Sequence, residues 1–447
     1  MTVVQQHPAA SPTRVNVPRR LTRMTGLTLA SLLVLFGLVG AAGLVAGDGM
    51  RVVGRDAGPQ VLATAGLYHG LSDMDAQVAD VLLMGREYGD RRAAALARYE
   101  QRRAEANQAL LKAFELTGDD PAERVTIQSV LDGLGRYEWL AGRAMLLDTQ
   151  AAHAAGPPPE TVLKVYRQAT DLMRLELMPK AYNLTLESGT IVRRTHDETG
   201  FTVRLLRDGV LAAGGLALVV LAALQVTLSR RFRRTLSPPL LTATALTLAL
   251  LIAGVSALAG HSAAMDEAKQ GGFDAMLTLS RARAVAGSLH ADQARYLLDP
   301  DRADTYEHAF LDKSQSLVYT EGGNVEAYHA TLARAKGPVR LGMLRGRAEI
   351  MKSYRRLHAT DGRMRAEHTS GRRAAAVATK LGPLAEDYAA LDTVLAQRGT
   401  AHRATFDRAV ASGDEAMAGL WRLAPFGMAA IVALVVIGVW PRLREYR

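Results

Sequence analysis

The chain contains no cysteine, so disulfides, a thiolate nucleophile and thiolate metal sites are all excluded. Aromatic residues occupy only 5% of its 447 positions, and no segment sustains an alternation of β-branched and polar residues, which argues against strands. Catalytic signatures are missing as well. There is no phosphate-binding glycine loop, no H-E-x-x-H and no G-x-S-x-G. An enzyme is therefore not expected, and no cofactor is implied. The eleven histidines are scattered, and His290, His308 and His329 fall on separate expected helices, where exposed or capping roles account for them better than metal ligation. The acidic runs Asp73-Met74-Asp75 and Glu386-Asp387 read as solvated helix faces.

What the chain does have is four long apolar stretches, at Met24–Ala46, Gly209–Ser229, Leu240–Gly260 and Leu420–Trp440. Each is about the 20 residues that a helix needs to cross a hydrocarbon layer about 30 Å thick. About 160 residues separate the first pair and the last pair, and about ten the middle pair, so the layout is span, large polar segment, span, stated twice. Arginine placement gives an expected orientation. Arg14, Arg19, Arg20 and Arg23 precede the first span, Arg230, Arg231, Arg233 and Arg234 fill the middle loop, and Arg442, Arg444 and Arg447 end the chain. Glu445 is the one acidic residue among them, so these three pieces account for the whole chain's net charge of +10. The positive-inside rule puts them in the cytoplasm and both large segments outside, with the plasma membrane between. A pI near 9.8 would otherwise invite a nucleic-acid reading, but the excess is not on a folded domain, and anionic lipid is the expected partner of these arginines.

The first span exceeds 20 residues and lacks a clear small-x-small site, so it reads as an uncleaved anchor. The spans hold no ionisable residue centrally, which weighs against a transporter or channel. Gln225 needs no more than an interfacial role, Trp421 and Trp440 suit the two interfaces, and Gly37, Gly40, Gly43, Gly214, Gly215 and Gly254 permit close helix contact.

The expected fold class is all-α, with four transmembrane helices and two extracytoplasmic helical bundles. Residues 1–23 form the N-terminal tail, 24–46 span one, 47–208 bundle one, 209–229 span two and 230–239 the arginine-rich loop. Span three is 240–260, bundle two 261–419, span four 420–440 and the C-terminal tail 441–447. In the first bundle, Val61–Gly85, a helix through Leu96, Tyr99, Ala106, Leu110 and Ala113, and a third through Ile127, Val130, Leu134, Tyr137 and Ala141 show one apolar stripe each. Asp120 and Pro121 read as cap and first turn of the third helix, a further helix opens near Glu160, and Pro179 should kink or interrupt it. Gly47, Gly49, Gly54 and Gly58 suggest a flexible or bent exit from span one. The second segment suggests helices over Ala263–Leu298, Ala303–Leu317, Val325–Ala335, Arg340–His358 and Arg372–Val410, with breaks at Asp299-Pro300-Asp301, Glu321–Asn324 and Lys336-Gly337-Pro338. Arg136, Trp139 and Arg143 share a broad face of the third helix and read as surface residues around a partly buried ring.

The layout resembles the extracytoplasmic four-helix sensor bundles of bacterial chemoreceptors and histidine kinases. More narrowly, span order, the two outer segments and the Arg230–Arg234 loop resemble four-span actinobacterial membrane proteins thought to link an amino-acid-binding lipoprotein outside to a soluble serine/threonine kinase inside. The resemblance implies a sensor or signal-relay protein that detects a small ligand or a solute-binding protein. No diagnostic residue motif supports it, so it assigns no site residue. Because the pieces expected inside are too short for an output domain, the message should pass to a cytoplasmic signalling protein, with Arg230, Arg231, Arg233 and Arg234 as contact candidates. The alternative is a non-switching envelope scaffold, and a transporter accessory subunit comes behind it. Small residues in the spans suit a homodimer.

Overall fold

The computed structural model describes residues 17–117, 121–232, 237–335, 342–344 and 347–444. Among them there is no strand, as Ala, Leu, Arg and Glu dominance over β-branched residues requires. Thirteen α-helices follow in order among these residues: α1 (Val17–Arg51), α2 (Gly58–Met84), α3 (Gly89–Leu116), α4 (Pro121–Ala151), α5 (Glu160–Leu172), α6 (Met178–Phe232), α7 (Pro238–Asp266), α8 (Asp274–Leu298), α9 (Ala303–Leu317), α10 (Val325–Arg334), α11 (Ala348–Thr369), α12 (Arg373–Thr379) and α13 (Ala385–Arg444). Four of the joins are wider π-helical turns, at Val52–Ala57, Met173–Leu177, Glu267–Phe273 and Lys380–Leu384. Two lie a few residues after spans one and three, and two precede spans two and four by more than 30 residues each. The duplication of layout therefore extends to these irregularities. Pro179 and Pro383 explain the second and fourth, because a proline cannot donate to the carbonyl four residues back and the ladder widens to accommodate it.

The chain divides into two units. One comprises Met1–Gly49, Asp197–Ala264 and Ala411–Arg447 and holds the four apolar helical stretches. This is a multi-pass membrane protein. The stretches pack through Leu32, Leu35, Val39, Leu221, Leu224 and Ile431, while Leu33, Leu44, Val219, Ile252, Leu423 and Phe426 stay exposed as a lipid-facing surface. Close approach uses fewer glycines than expected. A Cβ on Gly43 would lie 2.9 Å from the Trp421 ring and one on Gly214 2.5 Å from Leu251, but Gly37, Gly40 and Gly215 face open space. Trp421 therefore packs against span one as well as lying at one end of span four. Gln225 is also more than interfacial: it is buried and donates to the Leu240 carbonyl at 2.8 Å and the Thr244 hydroxyl at 2.7 Å, tying α6 to α7.

The other unit comprises Met50–His196 and Met265–Val410. Both long polar segments enter it, and they share one hydrophobic core. At its centre α2 packs against both α3 and α8, and residues from Leu67 to Met84 on α2 and from Ala286 to Leu298 on α8 are almost all buried. Neither stretch has a solvated stripe, because each is walled on every side. α4 pairs with α5, and α11 with α12, around this central pair.

Several helix limits follow the sequence reading closely, including Glu160, Ala303–Leu317 and the end of α8 at Leu298. Pro121 opens α4, whereas Asp120 and the Lys336–Pro338 break lie outside the described residues. The helix expected over Arg340–His358 instead runs Ala348–Thr369, whereas α10 lies where a helix was expected and is capped by Asn324, whose side chain accepts from the Ala327 amide at 2.8 Å. α2 ends at Gly85, where φ is +53° and a Cβ would meet the His153 carbonyl at 2.5 Å.

The glycines after span one do not make a flexible exit. The chain stays helical there, Gly54 lies against Val410 and Gly58 against Phe406. Gly272 has the same role in the second repeat, where a Cβ would stand 2.7 Å from the Phe406 backbone. A backbone neighbour cannot rotate aside, so Gly272→Ala should destabilise the unit by about 1–3 kcal/mol in denaturant titrations of the full chain in detergent. Gly323→Ala, at a position with no neighbour within 4 Å, is the matched control.

Candidate functional site

Because α2 and α8 are enclosed, their charged residues must find partners inside the unit or shift to neutral forms. The carboxylate of Asp75 on α2 accepts from Arg295 on α8, from the Tyr137 hydroxyl of α4 at 3.1 Å and from Thr170 of α5 at 3.3 Å. Arg295 in turn donates to Asp292 and, through Nε, to the Tyr166 hydroxyl at 3.3 Å, and Asp292 accepts from Lys313 of α9. A continuous polar chain thus crosses the core from α5 to α9. Burial would raise Asp292, but Lys313 and Arg295 beside it hold its carboxyl below the usual range. Burial likewise works against the Arg295 charge, and Asp75 more than restores it.

Two further links are reciprocal. Asp80, near the end of α2, accepts from Lys380 in the π turn before α13 at 2.6 Å. Asp299, just past α8, accepts both Nε and Nη2 of Arg167 on α5, with the Nε bond at 2.9 Å. The helix that follows span one is therefore bonded to the helix leading to span four, and the helix that follows span three to the helix leading to span two. His290 closes the first link. Its Nε2 lies 3.2 Å from Lys380 Nζ and its ring stacks on Tyr388 with centroids 4.2 Å apart. Burial raises Asp80, yet Lys380 and His290 bring it down to about 2.

Several concavities open among the described residues of the same unit. A groove of about 770 Å³ runs between α4 and α5, with Trp139, Leu140, Leu172 and Leu175 as its apolar lining and Arg136, Asp171 and Glu176 as charged lining. Arg136 donates to Glu176 at 3.2 Å, and the Arg143 guanidinium lies 5.3 Å from the Trp139 ring centre. Arg136 and Arg143 are thus surface groups, as read, whereas the Trp139 ring is mostly exposed rather than partly buried, and Arg136 and Trp139 share this groove. A smaller cavity of about 370 Å³ lies where the two repeats meet, between Tyr68, Arg174 and Tyr182 on one side and Ser288 and Lys313 on the other.

Other expectations fared differently. Asp73 and Asp75 are buried and paired, Asp73 with Arg102 at 2.6 Å, since α2 lies inside the unit and has no solvated face. Glu386 is exposed, and Asp387 accepts from Thr360 at 2.7 Å. His308 is exposed, but His290 is buried in the Asp80–Lys380 cluster and His329 stands 3.3 Å from Asp361, so neither is a surface histidine. No grouping of three or more ligand-type residues able to hold a metal occurs among the described residues. Arg230 is exposed near the end of α6 and Arg231 follows it, while Arg233 and Arg234 lie outside the described residues. Arg295, Lys380 and Asp292 were not picked out from sequence. Their neighbours in sequence mix polar and apolar residues, as in His290-Ala291-Asp292-Gln293-Ala294-Arg295, so the sequence alone does not distinguish them from charges on a surface stripe.

Residues 49–197 match the actinobacterial sensor domain. The match begins and ends almost at the limits of the first repeat's share of the polar unit, Met50–His196, and it contains Asp75, Asp80, Arg167 and the whole α4–α5 groove. The sensor-type segment is thus carried by a four-span, all-helical membrane protein. No match was found among the curated proteins or the solved structures.

Proposed function

We propose that this protein is a membrane signal relay rather than an enzyme: its polar unit faces outward, detects a small molecule or a docked solute-binding protein, and conveys its state to a separate cytoplasmic signalling protein. The observation that carries the reading is the sensor-type segment at residues 49–197, set between two spans and bonded through buried ion pairs to the second repeat. Asp80–Lys380 and Asp299–Arg167 connect each helix that leaves a span to a helix that leads into a span of the other repeat, and Asp75–Arg295 joins the two helices that leave spans. A shift at the α4–α5 groove or at the junction of the repeats would thereby bias helices that continue as spans. In this reading the arginine-rich pieces lie inside, where Arg230, Arg231, Arg233 and Arg234 meet anionic lipid and the partner. A soluble serine/threonine kinase is the partner class the resemblance suggests.

The test is crosslinking in native membranes, with partners identified on each side, in the wild type and in a variant with Arg230, Arg231, Arg233 and Arg234 changed to serine. The relay reading expects a cytoplasmic partner whose yield falls about tenfold or more in the variant at unchanged membrane insertion, a loss of about 1.4 kcal/mol or more. If every cytoplasmic crosslink survives the loop change and is indifferent to additions outside, the chain is a scaffold. Single cysteines placed in residues 90–115 and 372–395 report the orientation, and labelling only from inside would reverse the proposal.

A further inference from the structure

The cavity at the meeting of the two repeats has more hydrogen-bond donors than it uses. Its walls come from both repeats: Tyr68 on α2, Arg174 in the π turn and Tyr182 on α6 belong to the first, and Ser288 on α8 with Ala309 and Lys313 on α9 to the second. Most buried polar groups in a folded protein are paired. Here the side-chain donors of the half-buried Tyr68, Tyr182 and Arg174, and of Ser288, which is only 3% exposed, have no hydrogen-bond partner among the described residues. Arg174 has an aromatic neighbour, the Tyr306 ring at 5.3 Å, but no carboxylate partner among the described residues. Behind Tyr182, the Arg281 guanidinium lies 5.4 Å from the ring centre, with Nε and Nη2 buried and unbonded.

The charge count points the same way. Around this wall, Arg295 and Lys313 are matched by Asp75 and Asp292, which leaves Arg174 as surplus positive charge, with Arg281 a second one close by. Burial lowers Lys313 from the ordinary lysine range despite Asp292, and Arg174 lies close enough to act on the same carboxylate. A neutral or cationic occupant would leave this excess uncompensated. The remaining lining, Leu175, Met178, Pro179 and Ala309, is apolar, and Tyr68 and Tyr182 present rings 5.7 Å apart. At about 370 Å³ the space lies at the low end of the range for small-molecule sites, about 300–1,000 Å³.

The geometry points to a binding site for a small organic carboxylate with an apolar or aromatic body, its carboxylate on Arg174 and the tyrosine and serine hydroxyls, its body against Met178, Pro179 and Ala309. An occupant here touches both repeats at once, and Arg174 belongs to the π turn that leads into α6. The inference names a stimulus class for the relay reading and rests on that reading for its meaning. Binding itself is measured without a partner, so the two fail separately.

The experiment is calorimetric titration of the full chain in detergent micelles with phenylacetate and isocaproate, against phenylacetamide and inorganic phosphate. Saturable binding of at least one carboxylate is expected, with the amide and phosphate about tenfold weaker or worse, because the amide lacks the charge and phosphate lacks the body. Arg174→Gln should weaken carboxylate binding about tenfold or more and Arg174→Lys by about threefold or less, the loss of a charged hydrogen bond being worth about 1.5–3 kcal/mol. Ala309→Trp, which fills the cavity without touching a charge, should abolish binding while the melting curve and helical circular dichroism stay as in the wild type. Absence of saturable carboxylate binding up to about 10 mM, which corresponds to less than about 3 kcal/mol, would overturn the assignment. So would amide binding equal to that of phenylacetate, phosphate binding tighter than either carboxylate, or unchanged affinity in both Arg174→Gln and Ala309→Trp. Carboxylate binding with no change in any cytoplasmic crosslink would sustain the site and sink the relay.

Discussion

Arg295→Met should destabilise the polar unit by about 3–5 kcal/mol, because it leaves Asp75 buried without its cation while the surrounding packing stays closed. Arg295 is 1% exposed, and its guanidinium serves Asp75, Asp292 and the Tyr166 hydroxyl together. Methionine fills much of the same space but replaces none of those bonds. Asp292 keeps Lys313, so the unpaired charge falls on Asp75, which retains only the hydroxyls of Tyr137 and Thr170. The double variant Asp75→Leu/Arg295→Met removes both charges and should recover more than half of the loss, since apolar replacement of a buried pair is often neutral or stabilising. Urea unfolding of the wild type, both single variants and the double variant in detergent measures the coupling. Additive losses would mean that the pair does not act as a unit. The same cycle addresses specificity: if the double variant is as stable as the wild type, the network sets how α2 and α8 register on each other and contributes little net stability.

Acidification from about pH 7 to about pH 5 should destabilise the same unit by about 2 kcal/mol through His358 alone. His358 is 2% exposed, both ring nitrogens lack a hydrogen-bond partner, and its ring sits among Phe310, Tyr328, His329 and Tyr354. Burial first, then His329 and Arg365, bring it from 6.5 down to about 3, with Asp361 opposing. The unfolded chain therefore takes up a proton below about pH 6.5 that the folded unit refuses until about pH 3. The stability associated with neutral His358 is complete above about pH 6.5 and is lost progressively as the pH falls through that window. His69, brought down to about 4 by burial and by Arg283, acts with the same sign and a comparable amount. Asp80 does not interfere, because its depressed value places its loss of stability below 3.8, as the pH falls toward about 2. Denaturant midpoints at a series of pH values should show this slope, and His358→Phe should make it shallower, with His69 and His290 supplying part of what remains. An unchanged slope in His358→Phe would place the acid sensitivity elsewhere.

The helical class, the four spans and most helix limits were legible because each rests on local pattern. Apolar length specifies a span, a one-sided stripe specifies an amphipathic helix, and Pro121 and Gly85 punctuate where backbone geometry demands it. The reading failed where the signal depends on surroundings. Asp73, Asp75 and His290 have the spacing of surface residues, and only the enclosure of α2 and α8 by neighbours distant in sequence makes them interior. Gly54 and Gly58 look like hinges, yet each is a point of close contact with α13.

By itself the sequence determined that this is an all-helical, four-span chain with a repeated plan, because hydrophobic length and helix periodicity are properties of neighbouring residues. The tertiary structure decided that residues 50–196 and 265–410 share one core, that Asp75 meets Arg295 and Asp80 meets Lys380, and that unused donors line the cavity between the repeats. Those pairings join positions 220 and 300 residues apart. Charge attraction at such separations has no local sequence pattern, and it acts only once packing has excluded water and brought the partners within bonding distance.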